Sequence, residues 1–159
     1  MKLLAIDPGP TESAWVEYDP DRRMPGEWTK EPNWKAIDRI SDYYDWLAVE
    51  MIASYGMAVG AEVFETCVWV GRFLERWASQ TDGAEATRVF RREVKLHLCG
   101  SARAKDANIR QALIDRYGPG KEKAIGKKAS PGPLYGMSGD CWSALAVAVT
   151  AAEVGVLAR

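Results

Sequence analysis

The chain has 159 residues, 47% of them hydrophobic and 27% charged, with a net charge of −1. That is ordinary for one globular domain with a sizeable core. No apolar run reaches the roughly 18 residues of a membrane span, and Met1-Lys2-Leu3 meets Asp7 too early for a signal peptide. A single domain over 1–159 in the cytoplasm is therefore expected.

The first predicted element is a buried strand, Leu3-Leu4-Ala5-Ile6, ended by Asp7-Pro8-Gly9. A carboxylate at the tip of such a strand is costly to desolvate without a cationic partner. Ser13 to Tyr18 alternates as the hairpin partner after the Pro8-Gly9-Pro10-Thr11 turn, and a short third strand fits around Glu27 to Thr29. Asn33 is placed to cap a helix with Trp34, Ile37, Ile40 and Tyr44 at helical spacing. Leu47 to Ile52 reads as another buried strand, interrupted by Glu50.

Gly56 and Gly60 mark a loop before a helix over Ala61 to Ala78. Phe64, Cys67, Val68, Gly71, Leu74 and Trp77 form its expected core-facing stripe. Trp69, Val70 and Phe73 add a further apolar side, which suits core or a subunit interface. A short strand at Val89-Phe90 and a short helix over Arg91 to Leu98 follow. An amphipathic helix over Ala104 to Tyr117 turns Ile109, Ala112, Leu113 and Ile114 inward and stops at Gly118-Pro119-Gly120. Residues 118–139 lack apolar periodicity and read as a long mobile basic loop. Asp140 to Val154 is the last helix, with Asp140 in its first turn after a Ser138 cap. Strands first and helices later, with one helix interleaved, argue a mixed α/β sheet flanked by helices.

Charge is segregated along the chain. Between Arg88 and Lys128 lie twelve Lys or Arg and four acids, so this segment carries +8 and the remainder −9. Such a segment suits a polyanion-binding face; a solvated loop and helix face is the other reading. Cys67, Cys99 and Cys141 are widely spaced, without zinc-ligand spacing, and read as buried free thiols. His97 is the one histidine, which excludes multi-histidine metal sites.

Asp7, Glu50 and Asp140 are three acids at three element ends, the pattern of a converging divalent-metal site. Two such ions about 3.5–4 Å apart activate water and stabilise a leaving oxygen in phosphodiester cleavage.

These residues carry a resemblance. Asp7-Pro8-Gly9 after a buried strand, Ala48-Val49-Glu50 in a later one, and Asp140 before Ala144-Leu145-Ala146-Val147-Ala148 resemble RuvC-type Holliday junction resolvases. So does the lysine-bearing stretch Val94-Lys95, Gly100-Ser101-Ala102 and Lys105. Phrases such as Tyr55-Gly56-Met57, Phe64-Glu65-Thr66, Gly71-Arg72-Phe73 and Lys105-Asp106-Ala107-Asn108 are similar to compact phage-encoded members. The resemblance implies an RNase H-like fold, a mixed five-stranded sheet with helices on both faces. It implies a homodimer that nicks four-way DNA junctions on two opposing strands, leaving 5′-phosphates. Two Mg²⁺ or Mn²⁺ ions per site are implied, with no nucleotide cofactor.

Asp7, Glu50 and Asp140 carry over as metal ligands, and Lys95 and Lys105 as phosphate or transition-state contacts. Arg91, Arg92, Arg103, Lys127 and Lys128 are expected on the phosphate backbone, and Tyr55 stacked on an unpaired base. The family places an acid directly before the Ala-Leu-Ala of the last helix, where this chain has Ser143. Asp140, one turn earlier, is placed to take over. Asp106, Glu62, Glu65 or Glu153 is left as a fourth ligand. The rival readings are a nuclease without junction preference, a catalytically impaired junction-binding protein, and an actin-like sugar kinase, which 159 residues leave no room for.

Overall fold

The computed structural model describes residues 1–157. Strands β1 (Leu3–Asp7), β2 (Glu12–Asp19), β3 (Met24–Pro32), β4 (Trp46–Met51) and β5 (Thr87–Phe90) form one sheet in the order β3-β2-β1-β4-β5. β1, β2 and β3 make an antiparallel meander, whereas β4 and β5 run parallel to β1. Parallel neighbours need crossovers. The β4–β5 crossover carries helix α2 (Ala61–Gln80), and the β3–β4 connection carries α1 (Asn33–Ala36) and a 3-10 turn, Ile37–Arg39. Helices α3 (Arg91–Cys99), α4 (Asp106–Tyr117), α5 (Lys121–Ala124) and α6 (Cys141–Leu157) follow, with a small hairpin of β6 (Gly126–Lys127) and β7 (Ser130–Pro131).

Side-chain alternation divides the core in two. Leu4, Ile6, Leu47 and Val49 point to one face, where Val70, Phe73 and Trp77 of α2 and Ile40 cover them. Leu3, Ala5, Ala14, Val16 and Ala48 point to the other, under α6, α3 and α4. The small side chains of Ala5, Ala14 and Ala48 let the alanine-rich α6 approach closely, so residues 144 to 152 are buried almost all round. This is the expected mixed five-stranded sheet with helices on both faces.

Several local expectations need correction. The helix opened at Asn33 ends after one turn, and Ile40 is already extended, because the chain must cross from the edge strand β3 to β4. Asn33 is its first residue and no cap; its side chain instead donates to Gly9 O at 2.9 Å and accepts from Ser13 Oγ at 2.6 Å. Trp34 is exposed. The third strand is nine residues long.

The buried face of α2 is shifted: of the expected stripe, Trp77 is buried and Leu74 packs against the core. Thr66, Val70, Phe73 and Trp77 are buried, while Phe64 and Val68 are 63% and 56% exposed. Apolar residues on two sides left the local period ambiguous, and the sheet selects one of them.

Residues 118–139 are structured, not a loose loop. Leu134 and Ala124 are fully buried, and Leu134 N donates to Ala124 O at 2.9 Å. Of the cysteines, Cys141 is buried, whereas Cys67 and Cys99 are half-buried, all three free. No helix among the described residues is long and apolar enough to cross a membrane.

Candidate active site

Asp7 ends β1 and Glu50 lies one residue before the end of β4. The parallel register sets Ala5 opposite Ala48 and Ile6 opposite Val49, so Asp7 and Glu50 come next on adjacent strands. Both continue the alternation of Ala5 and Ala48 toward the α6 face. The turn after Asp7 is rigid. Ser13 Oγ accepts from Gly9 N at 3.2 Å, Asn33 N donates to Thr11 O at 2.9 Å, and an added Cβ at Gly9 would meet Glu12 O at 2.3 Å. That crowding explains the glycine of Asp7-Pro8-Gly9, and the buried Ser13–Asn33 bond holds the strand end in place.

The electrostatics are those of two carboxyls confined together. Burial, then the charge of Glu50 and its hydrogen bond with Asp7, pushes the Asp7 carboxyl up to about 8. Burial also raises Glu50, opposed by the charge of Arg91 and by its bond with Asp7. The pair therefore favours keeping one proton between its two carboxyls. Adjacent buried carboxylates of this kind ionise together only when a cation neutralises them. An oxygen-only donor pair short of positive charge fits a hard divalent ion such as Mg²⁺ or Mn²⁺.

Asp140 immediately precedes α6, and its carbonyl accepts from Ala144 N at 3.0 Å. The expected Ser138 cap is a backbone contact, Cys141 N to Ser138 O at 3.2 Å. The carboxylate of Asp140 faces Lys30 of β3, Nζ to Oδ2 at 2.7 Å. Its charge still bears on both Asp7 and Glu50. Two of the three expected acids are thus side by side, and the third stands at the rim on a lysine. Among the described residues, no three His, Cys, Asp or Glu side chains converge as a metal cage.

Lys30 was not foreseen. It lies in the same sheet row as Asp7, since Asp7 pairs with Ala14 and Ala14 with Lys30. Only the full register of the meander shows this.

Arg91 opens α3 and reaches back over the end of β4. Its Nη1 lies 3.7 Å from Glu50 Oε1 and donates to Ser143 Oγ at 3.4 Å, and its Nη2 donates to Asp106 Oδ1 at 2.5 Å. Arg91, a candidate DNA-backbone contact, lies among the acids. It separates two hollows. One, of about 220 Å³, is lined by Asp7, Glu50, Tyr55 and Thr66 as well as Arg91. The other, of about 470 Å³, lies between α4 and the start of α6 and includes Asp106, Asp140 and Ser143.

Of the fourth-ligand candidates, Asp106 connects to Glu50 through Arg91. Glu153 is engaged elsewhere, with His97 Nε2 at 2.5 Å and Arg116 Nη1 at 2.7 Å. Glu62 and Glu65 lie exposed on α2. Ser143 is half-buried, one helical turn beyond Asp140.

The expected DNA contacts divide by place. Arg92, Arg103 and Lys105 are exposed along α3 and the start of α4, and Lys95 is half-buried on α3. Lys127 and Lys128 are exposed at the β6–β7 hairpin. The apolar sides of α3, α4 and α5 join the core on the α6 side of the sheet, so the basic segment flanks the face on which the acids open. The Tyr55 ring, 63% exposed, stands at the mouth of the smaller hollow.

Two solved structures share this architecture over nearly their whole length. The Thermus thermophilus RuvC structure superposes with a TM-score of 0.65 at 20% sequence identity, covering 99% of this chain and 97% of that one. T. thermophilus RuvC in complex with Holliday junction substrate gives 0.64 at 18% identity, covering 99% and 96%. No protein-family model and no curated protein sequence matches the chain. The shared feature is the RuvC-like fold.

Proposed function

We propose that the chain is a divalent-metal-dependent endonuclease that resolves four-way or branched DNA by paired nicks. The observation that carries this reading is the buried Asp7–Glu50 carboxyl pair, short of positive charge, at the strand ends of a fold shared end to end with a RuvC bound to a Holliday junction substrate. The +8 segment beside it supplies the electrostatic attraction that a DNA backbone requires.

Asp7 and Glu50 would hold the ion, and Asp140 would complete its ligands once released from Lys30. A divalent ion there would supply the charge that activates water and stabilises the leaving oxygen in phosphodiester hydrolysis. The chain's own residues do the rest. Lys105, exposed at the start of α4, supports the charge that develops on the phosphate. Lys95, Arg92, Arg103, Lys127 and Lys128 hold the backbone, and Tyr55 stacks on an unpaired base at the crossover. A homodimer presents two such sites to a two-fold symmetric junction. The exposed Phe64 and Val68 of α2, one turn apart, give it an apolar surface.

A second reading is a junction-binding protein with impaired catalysis. The engagement of Glu50 by Arg91, and of Asp140 by Lys30, favours it. One assay separates the two: incubation of a fixed four-way junction and a linear duplex of the same sequence with Mg²⁺, for wild type and Asp7→Asn. Nicking of the junction alone, lost in the variant, is expected. Binding without nicking at any Mg²⁺ or Mn²⁺ concentration would establish the second reading.

A further inference from the structure

We propose that Arg91 is a built-in cation of the acid site that occupies the place of one divalent ion, so that each protomer binds one such ion rather than two. This rests on the reading of the Asp7–Glu50 pair as a metal site.

The argument starts from position. Arg91 is the first residue of α3, directly after β5, whose Val89 pairs with Glu50. Its guanidinium therefore projects over the end of β4 with little freedom. It has three partners on three other elements: Glu50 on β4 at 3.7 Å, Ser143 on α6 at 3.4 Å and Asp106 on α4 at 2.5 Å. Its side chain is 27% exposed. A guanidinium stays charged at any working pH, and its planar fork spans several acceptors at once.

The second point is what the partners leave over. Glu50 and Asp106 are the acids on the α4 side of the hollow, and both face Arg91. Ser143, the oxygen on α6 nearest to them, is neutral and accepts from the same guanidinium. A second divalent ion between Glu50 and Ser143 would meet a fixed positive charge at contact distance and find no unshared carboxylate there. On the other side, toward Asp7 and Asp140, Arg91 borders the hollows and its charge bears on Asp7, but among the described residues its ion pairs are with Glu50 and Asp106. Lys30 holds Asp140 only at the exposed rim, with side chains 44% and 52% exposed, and its flexible stem can swing away. One ion position remains open and the other is filled by the protein.

This gives Arg91 a role distinct from phosphate gripping. It ties α3, α4 and α6 around the site through Glu50, Asp106 and Ser143, and supplies charge without exchange with solvent.

The test counts ions. Mn²⁺ binding to the whole protein, free of DNA, is measured by calorimetric titration, and the spectrum of the bound ions by electron paramagnetic resonance. One Mn²⁺ per protomer with an isolated six-line spectrum is expected for wild type and for Arg91→Lys. A second Mn²⁺ with a spin-coupled spectrum is expected for Arg91→Gln. Two ions in wild type, or one in both wild type and Arg91→Gln, overturn the proposal while leaving the metal reading intact. No ion in wild type overturns the metal reading itself, and this inference with it. If Arg91→Gln fails to fold, by circular dichroism, the wild-type count and spectrum decide alone.

Discussion

Lys30 and Asp140 meet at 2.7 Å across the rim of the acid site, joining the outer strand β3 to the start of α6. Both side chains are about half exposed, so the pair contributes little to stability, under about 1 kcal/mol. On the proposed metal reading its effect is competition: while Lys30 holds Asp140, a divalent ion must displace it. Lys30→Met is expected to tighten Mn²⁺ binding severalfold with almost no change in melting temperature. Unchanged affinity in a Mn²⁺ titration would remove Asp140 from the ligand set.

Asp7→Asn, Glu50→Gln and Asp140→Asn each remove a charge at nearly constant volume. Each is expected to lower junction cleavage by about a hundredfold or more and to leave junction binding in place. Single-turnover cleavage and a gel-shift titration on the same junction check this. Any one variant that cleaves near the wild-type rate in Mg²⁺ is not at a ligand position.

The Asp7 carboxyl sets a pH dependence in the absence of metal. Its value in the folded protein is about 8 against an ordinary 3.8. Between these values the folded protein keeps a proton that the unfolded chain has lost, so stability falls as pH rises from about 4 to about 8. The loss is on the order of a few kcal/mol. Thermal melts in EDTA are expected to show this decline, Asp7→Asn to flatten it, and added Mg²⁺ to oppose it at the alkaline end. A wild-type profile in EDTA that is as flat as that of Asp7→Asn would contradict the assigned proton.

Ser143 meets the site through a long bond from Arg91, 3.4 Å. Ser143→Ala is expected to cost at most about 1 kcal/mol and to slow cleavage by no more than about tenfold. Ser143→Asp places a carboxylate against the Arg91 guanidinium and is expected to be tolerated, or to change the preference between Mg²⁺ and Mn²⁺. Complete loss of cleavage in Ser143→Asp, with folding and junction binding intact, would show that the start of α6 accepts no acid there.

On α2, Phe64 and Val68 point outward, whereas Trp69 leans on the buried Phe73 with ring centroids 5.8 Å apart. Phe64→Glu combined with Val68→Glu is expected to give a 17.6 kDa monomer of unchanged melting temperature. Trp69→Glu is expected to lower the melting temperature through lost packing. Sedimentation at micromolar concentration decides; a wild type already monomeric would end the dimer reading.

The sequence by itself determined the strands and the long last helix. Leu3 to Ile6 and Leu47 to Val49 are unbroken apolar runs that only a sheet covered on both faces can bury. Ala144 to Ala152 is apolar except for Thr150 and reads as a buried helix. An acid at the end of such an element is conspicuous because its neighbours forbid an uncompensated charge. Asp7 and Glu50 were therefore legible as residues that need a compensating partner.

Tertiary structure alone decided how these groups meet. That Asp7 and Glu50 are neighbours follows from a parallel register between segments far apart in the chain, which no local pattern encodes. Lys30 joined the site because β3 is long enough to set it in the row of Asp7. Arg91 resembled its basic neighbours in the chain, and only the meeting of β5 with β4 turned it onto Glu50. The apolar sides of α2 were ambiguous until the sheet buried Val70 and Phe73 and left Phe64 and Val68 outside. Local hydrophobic period fixes what an element is; which of its faces and charged groups find partners depends on contacts between distant segments, and those form only when the sheet closes.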